Sequence, residues 1–259
     1  MSKKKYTASS FWDQAKWDSE IPRNYWTSNP LINTYANLQM TGSLDKPNTI
    51  EWFGECFLKS FFKLPVDRGA SVGCGTGIAE RQTLDINLCK EMDGFDFSQD
   101  SLKSARVKAQ EKGYDERLHY INKDLNKEAL AEGKYNFILS FGCLHHIVKL
   151  EFFLSQINAA LKKNGLFYFN EYIGPSRFQW TDAQLDVINK IAKLLPVRCL
   201  LTDNLKRMSE DDLLDPSESI RSEEIMSLVG NKFELLDVRY YGGTILYPLW
   251  AQVVRPEFF

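Results

Sequence analysis

The sequence predicts an α/β fold: a mostly parallel sheet with helices on both faces, an antiparallel C-terminal hairpin closing it, and a helical N-terminal extension. Three observations carry this. Short apolar runs at 69–72, 92–97, 118–122, 135–141 and 166–172 alternate with helical patterns, the repetition that builds parallel sheets. A glycine-rich turn, Gly73-Cys74-Gly75-Thr76-Gly77, follows the first run. Near the end, Gly242-Gly243 separates two apolar segments, 233–240 and 244–254, and reads as a hairpin turn.

Four regions follow in order: 1–65, 66–172, 173–230 and 231–259. The first is rich in aromatics, among them Trp12, Trp17, Tyr25, Trp26, Tyr35, Trp52, Phe53 and Phe57. Most are expected in the core; Trp12, Trp17, Tyr25 and Trp26 are candidate pocket walls in a region expected to fold over the site as a lid. Asn48 or Thr49 can cap a helix with Phe53, Cys56, Phe57 and Phe61 inward, and Pro65 stops it. In the second region Ser98 caps a helix with Leu102, Ala105 and Ala109 inward and Gly113 as its stop. Leu150, Leu154, Ile157 and Leu161 mark another, ended by Asn164-Gly165. The third region opens with a capping box, Thr181-Asp182-Ala183-Gln184, before a helix carrying Leu185, Ile188, Ala192 and Leu195. A polar stretch, SEDDLLDPSES, and a short helix ending near Gly230 precede the closing hairpin.

Composition narrows the function. The chain has 259 residues, 44% hydrophobic, enough for a sizeable core. Its net charge of −2 argues against a nucleic-acid binder. No apolar run approaches the roughly 20 residues that span a bilayer. MSKKKYTASS has no hydrophobic stretch after its lysines, so a signal peptide is not expected. The five cysteines form no CxxC pair and read as reduced thiols. No His/Asp cluster has metal-ligand spacing, so no metal is expected. The expected compartment is the cytoplasm.

Glycines at the first strand-to-helix turn allow a tight bend and let a ligand approach backbone, while the helix start offers free N–H groups. Dinucleotide enzymes use GxGxxG, whose third glycine would fall at Ile78 here. About 20 residues on, Asp96 ends the second strand, where a carboxylate can accept from both hydroxyls of a ribose. Asp124 is placed similarly after the third strand.

GCGTG, the DxS of Asp96–Ser98 and FILSFGCLHHI at strand four together resemble the class I S-adenosylmethionine-dependent methyltransferases, over residues 66–172. The resemblance implies a Rossmann-like sheet and S-adenosylmethionine as cofactor. By it, Gly73, Cys74, Gly75 and Gly77 border the methionine part, Asp96 holds the ribose with Phe97 beside the adenine, Asp124 and Leu125 line the adenine edge, and Ser140 and Phe141 run close to the sulfonium. Many members carry an acid two residues before the first motif glycine; this chain has Ser71, and Glu80 or an N-terminal residue is left to substitute. EYIGPSRFQWTDAQL and DPSESIRS resemble a bacterial subgroup associated with surface-glycan or small-molecule tailoring.

Methyl transfer to a hydroxyl requires a base tuned toward neutral pH. His145 and His146 directly follow the fourth strand, and Glu171 ends the fifth; these are the candidate catalytic residues. Tyr172, Arg177, Gln179, Trp180 and Arg221 are candidates for binding a polar small-molecule acceptor, a sugar or a phosphorylated metabolite. The expected activity is O-methylation in surface-glycan assembly. The alternatives are an NAD(P)-dependent oxidoreductase, which the glycine spacing opposes, and a cofactor-binding module without turnover. The oligomeric state is not legible.

Overall fold

The computed structural model describes residues 29–44, 49–209, 213 and 215–255. Trp12, Trp17, Tyr25, Trp26 and Asn48 lie outside these residues. Among the described residues, two helices precede the sheet. Asn29 caps the first, Pro30–Thr41, its side chain accepting from the N–H groups of Leu31 and Ile32 at 2.9 and 3.2 Å. The second runs over 49–61 and contains a π-helical segment, Gly54–Leu58, between Thr49–Phe53 and Lys59–Phe61. The wider turn rotates the inward face. Ile50, Trp52, Phe53 and Leu58 are buried, whereas Cys56 and Phe61, expected inward, are exposed.

The sheet has five strands: β1 (Val66–Val72), β2 (Cys89–Asp96), β3 (Leu118–Asn122), β4 (Tyr135–Phe141) and β5 (Leu161–Asn170). Their order is β3-β2-β1-β4-β5, and every neighbouring pair is parallel. Parallel strands need both faces covered, which is why β4 is buried on both faces from Tyr135 to Ser140. Phe137 and Leu139 pack on one face with Trp52, Phe53, Leu84, Leu102 and Ala105. Ile138 packs on the other with Leu150, Leu154, Ile157, Ile225 and Val229. Helices 49–61, Ile78–Asp85 and Gln99–Glu111 therefore lie on one side, and Leu150–Ala160 and Ile225–Gly230 on the other.

Two of the expected caps, those of Ser98 and Thr181, form. Ser98 Oγ accepts from the Ser101 N–H at 3.2 Å, and Thr181 and Gln184 exchange side-chain and backbone hydrogen bonds at the start of Asp182–Ala192. Leu161 departs from expectation. It opens β5 immediately after Ala160, with φ −72° and ψ 140°, so the helix is one turn shorter and the strand longer than the apolar spacing suggested.

The expected C-terminal hairpin does not form among the described residues, where every sheet pairing is parallel and the one antiparallel contact is an isolated bridge, Leu200 to Val254. Residues 246–253 are helical instead, as Leu246–Pro248 followed by π-helical Leu249–Val253. Pro248 cannot donate to a sheet ladder, but in a first helical turn its missing N–H costs nothing. Leu246, Leu249, Trp250 and Val253 recur at helical spacing. Val253 is fully buried against Phe178, Trp180, Ile188 and Leu200, and Trp250 packs with Ile32 and Val254. Residues 233–240 are irregular, with Leu235, Leu236 and Tyr240 exposed.

Candidate active site

In this strand order the chain switches direction between β1 and β4, and open α/β sheets bind ligands at the carboxyl ends of strands flanking such a point. A cavity of about 1730 Å³ opens there, lined by the 73–76 turn, Asp96, Phe97, Asp124, Leu125, Phe141, His145, His146, Glu171 and Tyr172, among others. Small-ligand pockets are typically ~300–1,000 Å³, so two ligands fit side by side.

The glycine turn is built around Asp96. Gly73 and Cys74 donate their N–H groups to the Phe95 carbonyl at 2.8 and 3.1 Å, and Gly75 donates to Asp96 Oδ2 at 2.8 Å. The other carboxylate oxygen accepts from the Ser98 N–H at 2.8 Å. One carboxylate thus joins the turn after β1 to the helix start after β2. Gly73 and Gly77 have φ of +67° and +79°, and a side chain at either would collide, with Cys143 Sγ and the Tyr120 hydroxyl respectively. Only glycine satisfies both constraints.

Ser71, where an acid was expected by resemblance, hydrogen-bonds to Glu80 Oε1. Glu80 is fully buried, and its Oε2 has no hydrogen-bond partner among the described residues. Burial pushes its carboxyl up to about 8. Of the two substitutes left open by the sequence, it is Glu80 that reaches position 71. Asp124 is tied locally: it accepts from the Asn126 N–H at 3.0 Å and pairs with Lys127 at 2.8 Å. Ser140 departs from expectation. It is 1% exposed, paired with Val72 inside the β1–β4 ladder, and does not line the cavity.

Past β4 and β5 a cluster forms that no single sequence segment announces. Glu171, whose side chain is shielded from solvent, accepts from the Leu144 N–H at 2.6 Å and the Tyr172 N–H at 2.8 Å and pairs with His145 Nδ1. On the other side of that ring, Nε2 lies 3.3 Å from Glu218 Oε1. Burial opposes the charge, but Glu171 and then Glu218 outweigh it and push the His145 imidazole up to about 10. His145 is therefore an imidazolium at neutral pH. His146 lies against it, ring centroids 4.0 Å apart, and burial followed by this positive neighbour lowers its pKa below the ordinary value. His146 Nδ1 is 3.1 Å from Ser217 Oγ and 3.5 Å from Asp215 Oδ2.

Asp215, Ser217 and Glu218 were missed by sequence reasoning, which took from 215–222 only a subgroup resemblance and Arg221. The signal was the Asp-Pro-Ser turn: Asp215 Oδ1 accepts from both the N–H and the hydroxyl of Ser217, at 2.8 and 2.7 Å. Such Asx turns fix short polar loops.

Four expected acceptor contacts fall outside the cavity; Tyr172 alone lines it. Arg177 donates to the carbonyls of Pro216 and Glu218 at 2.7 and 3.1 Å, so it holds the loop that presents Glu218. Gln179 donates to the Met208 carbonyl at 2.6 Å. Trp180 is fully buried in the core of 173–254. Arg221 is consumed by Glu151 and Glu224, each at 2.6 Å. The wall is aromatic instead, with Trp52, Phe53, Tyr168, Tyr241 and Tyr247 among its residues.

The same segment is what comparison with known proteins finds. Residues 70–167 match the sequence family described as a methyltransferase domain. Most of β1 to β5 is therefore similar to a methyltransferase domain. A malonyl-[acyl-carrier protein] O-methyltransferase 2 from Ilyobacter polytropus is 24% identical over 147 residues, 54% of this chain and 55% of that protein. An uncharacterized protein from Synechococcus sp. is 27% identical over 100 residues, 39% of this chain and 24% of that protein. The chain thus spans about half the length of one of these relatives and a quarter of the other. Among solved structures, that of the [4+2]-cyclase SpnF superposes with a TM-score of 0.54 at 14% identity, covering 96% of this chain and 82% of that one. At that identity the likeness shows the fold, and it extends beyond residues 70–167 to nearly the whole chain. No helix among the described residues is long and apolar enough to cross a membrane.

Proposed function

We propose that this chain is an S-adenosylmethionine-dependent methyltransferase acting on an oxygen of a small hydroxylated acceptor. The observation that carries the reading is the junction of the glycine turn with Asp96, at the mouth of a cavity inside a methyltransferase domain. In this reading Gly73, Cys74, Gly75 and Gly77 flank the methionine part, Asp96 faces the ribose hydroxyls, and Phe97, Asp124 and Leu125 line the adenine side. Trp52, Phe53 and Met40, from the two helices before the sheet, wall the same cavity and serve as its cover.

Transfer from a sulfonium needs alignment more than activation, because the leaving group is already good. A hydroxyl acceptor must also lose its proton. In this reading the cluster past β4 takes that proton, with His146 the candidate base in the metal-free protein and Glu171 holding His145 beside it. A phosphorylated acceptor is not favoured. Arg177 and Arg221, the expected anion holders, point elsewhere, and the cavity-lining cations Lys123 and Arg239 are bonded to the Ala129 carbonyl and to Asp237. A neutral sugar-like or aromatic-bodied alcohol matches the aromatic wall better; a role in surface-glycan tailoring rests on resemblance of 171–185 and 215–222.

Calorimetric titration with S-adenosylhomocysteine, beside NAD, tests the reading. Micromolar binding of the thioether alone, weakened at least tenfold in Asp96→Asn, is the expected result. Binding of NAD instead, or of neither, overturns it.

A further inference from the structure

We propose that His145, His146 and Glu218 form a binding site for one divalent transition-metal ion of the zinc or iron(II) class. The inference stands on the arrangement of donor atoms and does not depend on the methyltransferase reading.

The donors converge. One ligand atom from each of the three residues lies within 4.8 Å of the others. His145 Nε2 is 3.3 Å from Glu218 Oε1, and His146 Nε2 is 3.9 Å from Glu218 Oε2. A tetrahedral ion with bonds of about 2.0–2.1 Å separates its ligand atoms by about 3.3 Å, so the His145–Glu218 contact already has the required spacing, and the three-atom set within 4.8 Å draws together around the ion.

The hydrogen bonds also set the tautomer. Ser217 has one hydroxyl proton and gives it to Asp215 Oδ1, at 2.7 Å. Toward His146 Nδ1, 3.1 Å away, it can only accept, so that nitrogen carries the ring proton. With the proton on Nδ1, Nε2 is the nitrogen whose electron pair can bind a cation, and it lies on the Glu218 side of the ring. His145 is oriented in the same way: its Nδ1 faces Glu171, which two backbone N–H groups hold in place. Each imidazole thus turns one nitrogen to a carboxylate or a carboxylate-bound hydroxyl and the other toward Glu218. That is the support that metal-ligating histidines usually have.

Charge agrees. Glu171, Asp215 and Glu218 put three carboxylates around two imidazoles, with Glu171 and Asp215 at 0% and 3% exposure. Two imidazoles and one carboxylate suit zinc or iron(II), whereas magnesium and calcium prefer all-oxygen sets. The three ligands line the cavity, which supplies an entry path and leaves positions open to an oxygen ligand. The ion takes the place of the proton on His145 Nε2 and occupies His146 Nε2, so a loaded site excludes base action by His146.

The test uses the full chain, stripped with a chelator and titrated with cobalt(II), followed by ligand-field absorption with zinc as competitor. One-to-one binding is expected, abolished in His146→Gln and Glu218→Gln and weakened roughly 10–100-fold in Asp215→Asn. Retained binding of S-adenosylhomocysteine by the variants shows that they are folded. In the wild-type protein, zinc should shift the ring signals of two of its three histidines and leave His119 unmoved. Absence of binding, binding that survives both ligand variants, or a shift confined to His119 overturns the proposal. Cofactor binding without metal binding leaves the methyltransferase reading standing, and the converse result separates the two the other way.

Discussion

The Ser71 hydroxyl on β1 hydrogen-bonds to the carboxyl group of Glu80, nine residues further on in the helix after the glycine turn, and neither residue has appreciable contact with solvent. Burial holds the Glu80 carboxyl at about 8, against an ordinary value of 4.5. Because the folded pKa is raised, the folded state keeps its proton after the unfolded chain has lost it. Stability from this group is complete below the unfolded value and is lost as pH rises toward 8. Urea unfolding at pH 5, 7 and 9 should show wild-type stability falling with pH over this window, and Glu80→Gln should flatten the slope. Equal slopes in both proteins would show that Glu80 is ionised in the fold.

Gly77 stands where a side chain would meet the Tyr120 hydroxyl, on a backbone with φ +79°. Gly77→Ala should lower stability by about 1–3 kcal/mol. Tyr120→Phe removes the nearest colliding atom but leaves the ring carbons at 2.8 and 3.0 Å and the left-handed backbone, so the double variant should recover part of the loss and not all. A double-mutant cycle in urea separates the two contributions.

Trp180 distinguishes a core residue from an acceptor contact. Its full burial among Phe178, Ile188 and Val253 predicts that Trp180→Ala costs about 3–5 kcal/mol. Trp180→Phe, which keeps most of the volume, should leave S-adenosylhomocysteine affinity unchanged. A change in cofactor affinity with little loss of stability would place it in the site after all.

Arg177 holds the Pro216 and Glu218 carbonyls and so fixes the loop that brings Glu218 to the histidines. Arg177→Ala should destabilise the fold by about 1–3 kcal/mol and speed amide exchange across 215–220. It should leave cofactor affinity intact, since the glycine turn is built on β1 and β2 alone. Exchange confined to other loops would show that the arginine does not position Glu218.

Which parts were legible follows from the range of the forces involved. The alternation of β1 to β5 with helices, the Ser98 and Thr181 caps, and the glycine turn with Asp96 21 residues after Gly75 are encoded by periodicity and nearby residues. The sequence by itself therefore determined the α/β class, the strand ends at which the cavity opens and the segment that matches a methyltransferase domain. The tertiary structure decided what depends on partners distant in the chain. Gly242-Gly243 suits a hairpin, but burial of Val253 against Phe178 and Trp180 gathers 246–253 into a helix. Arg177 and Trp180 looked like a polar roof, yet their partners lie in the 215–220 loop and in the core, so neither reaches the cavity. The histidine cluster needs Glu171 from the end of β5 and Glu218 from a loop 73 residues past His145. Short motifs record local backbone geometry, whereas buried charges are paired only after folding has brought remote segments together, because only then is water excluded from around them.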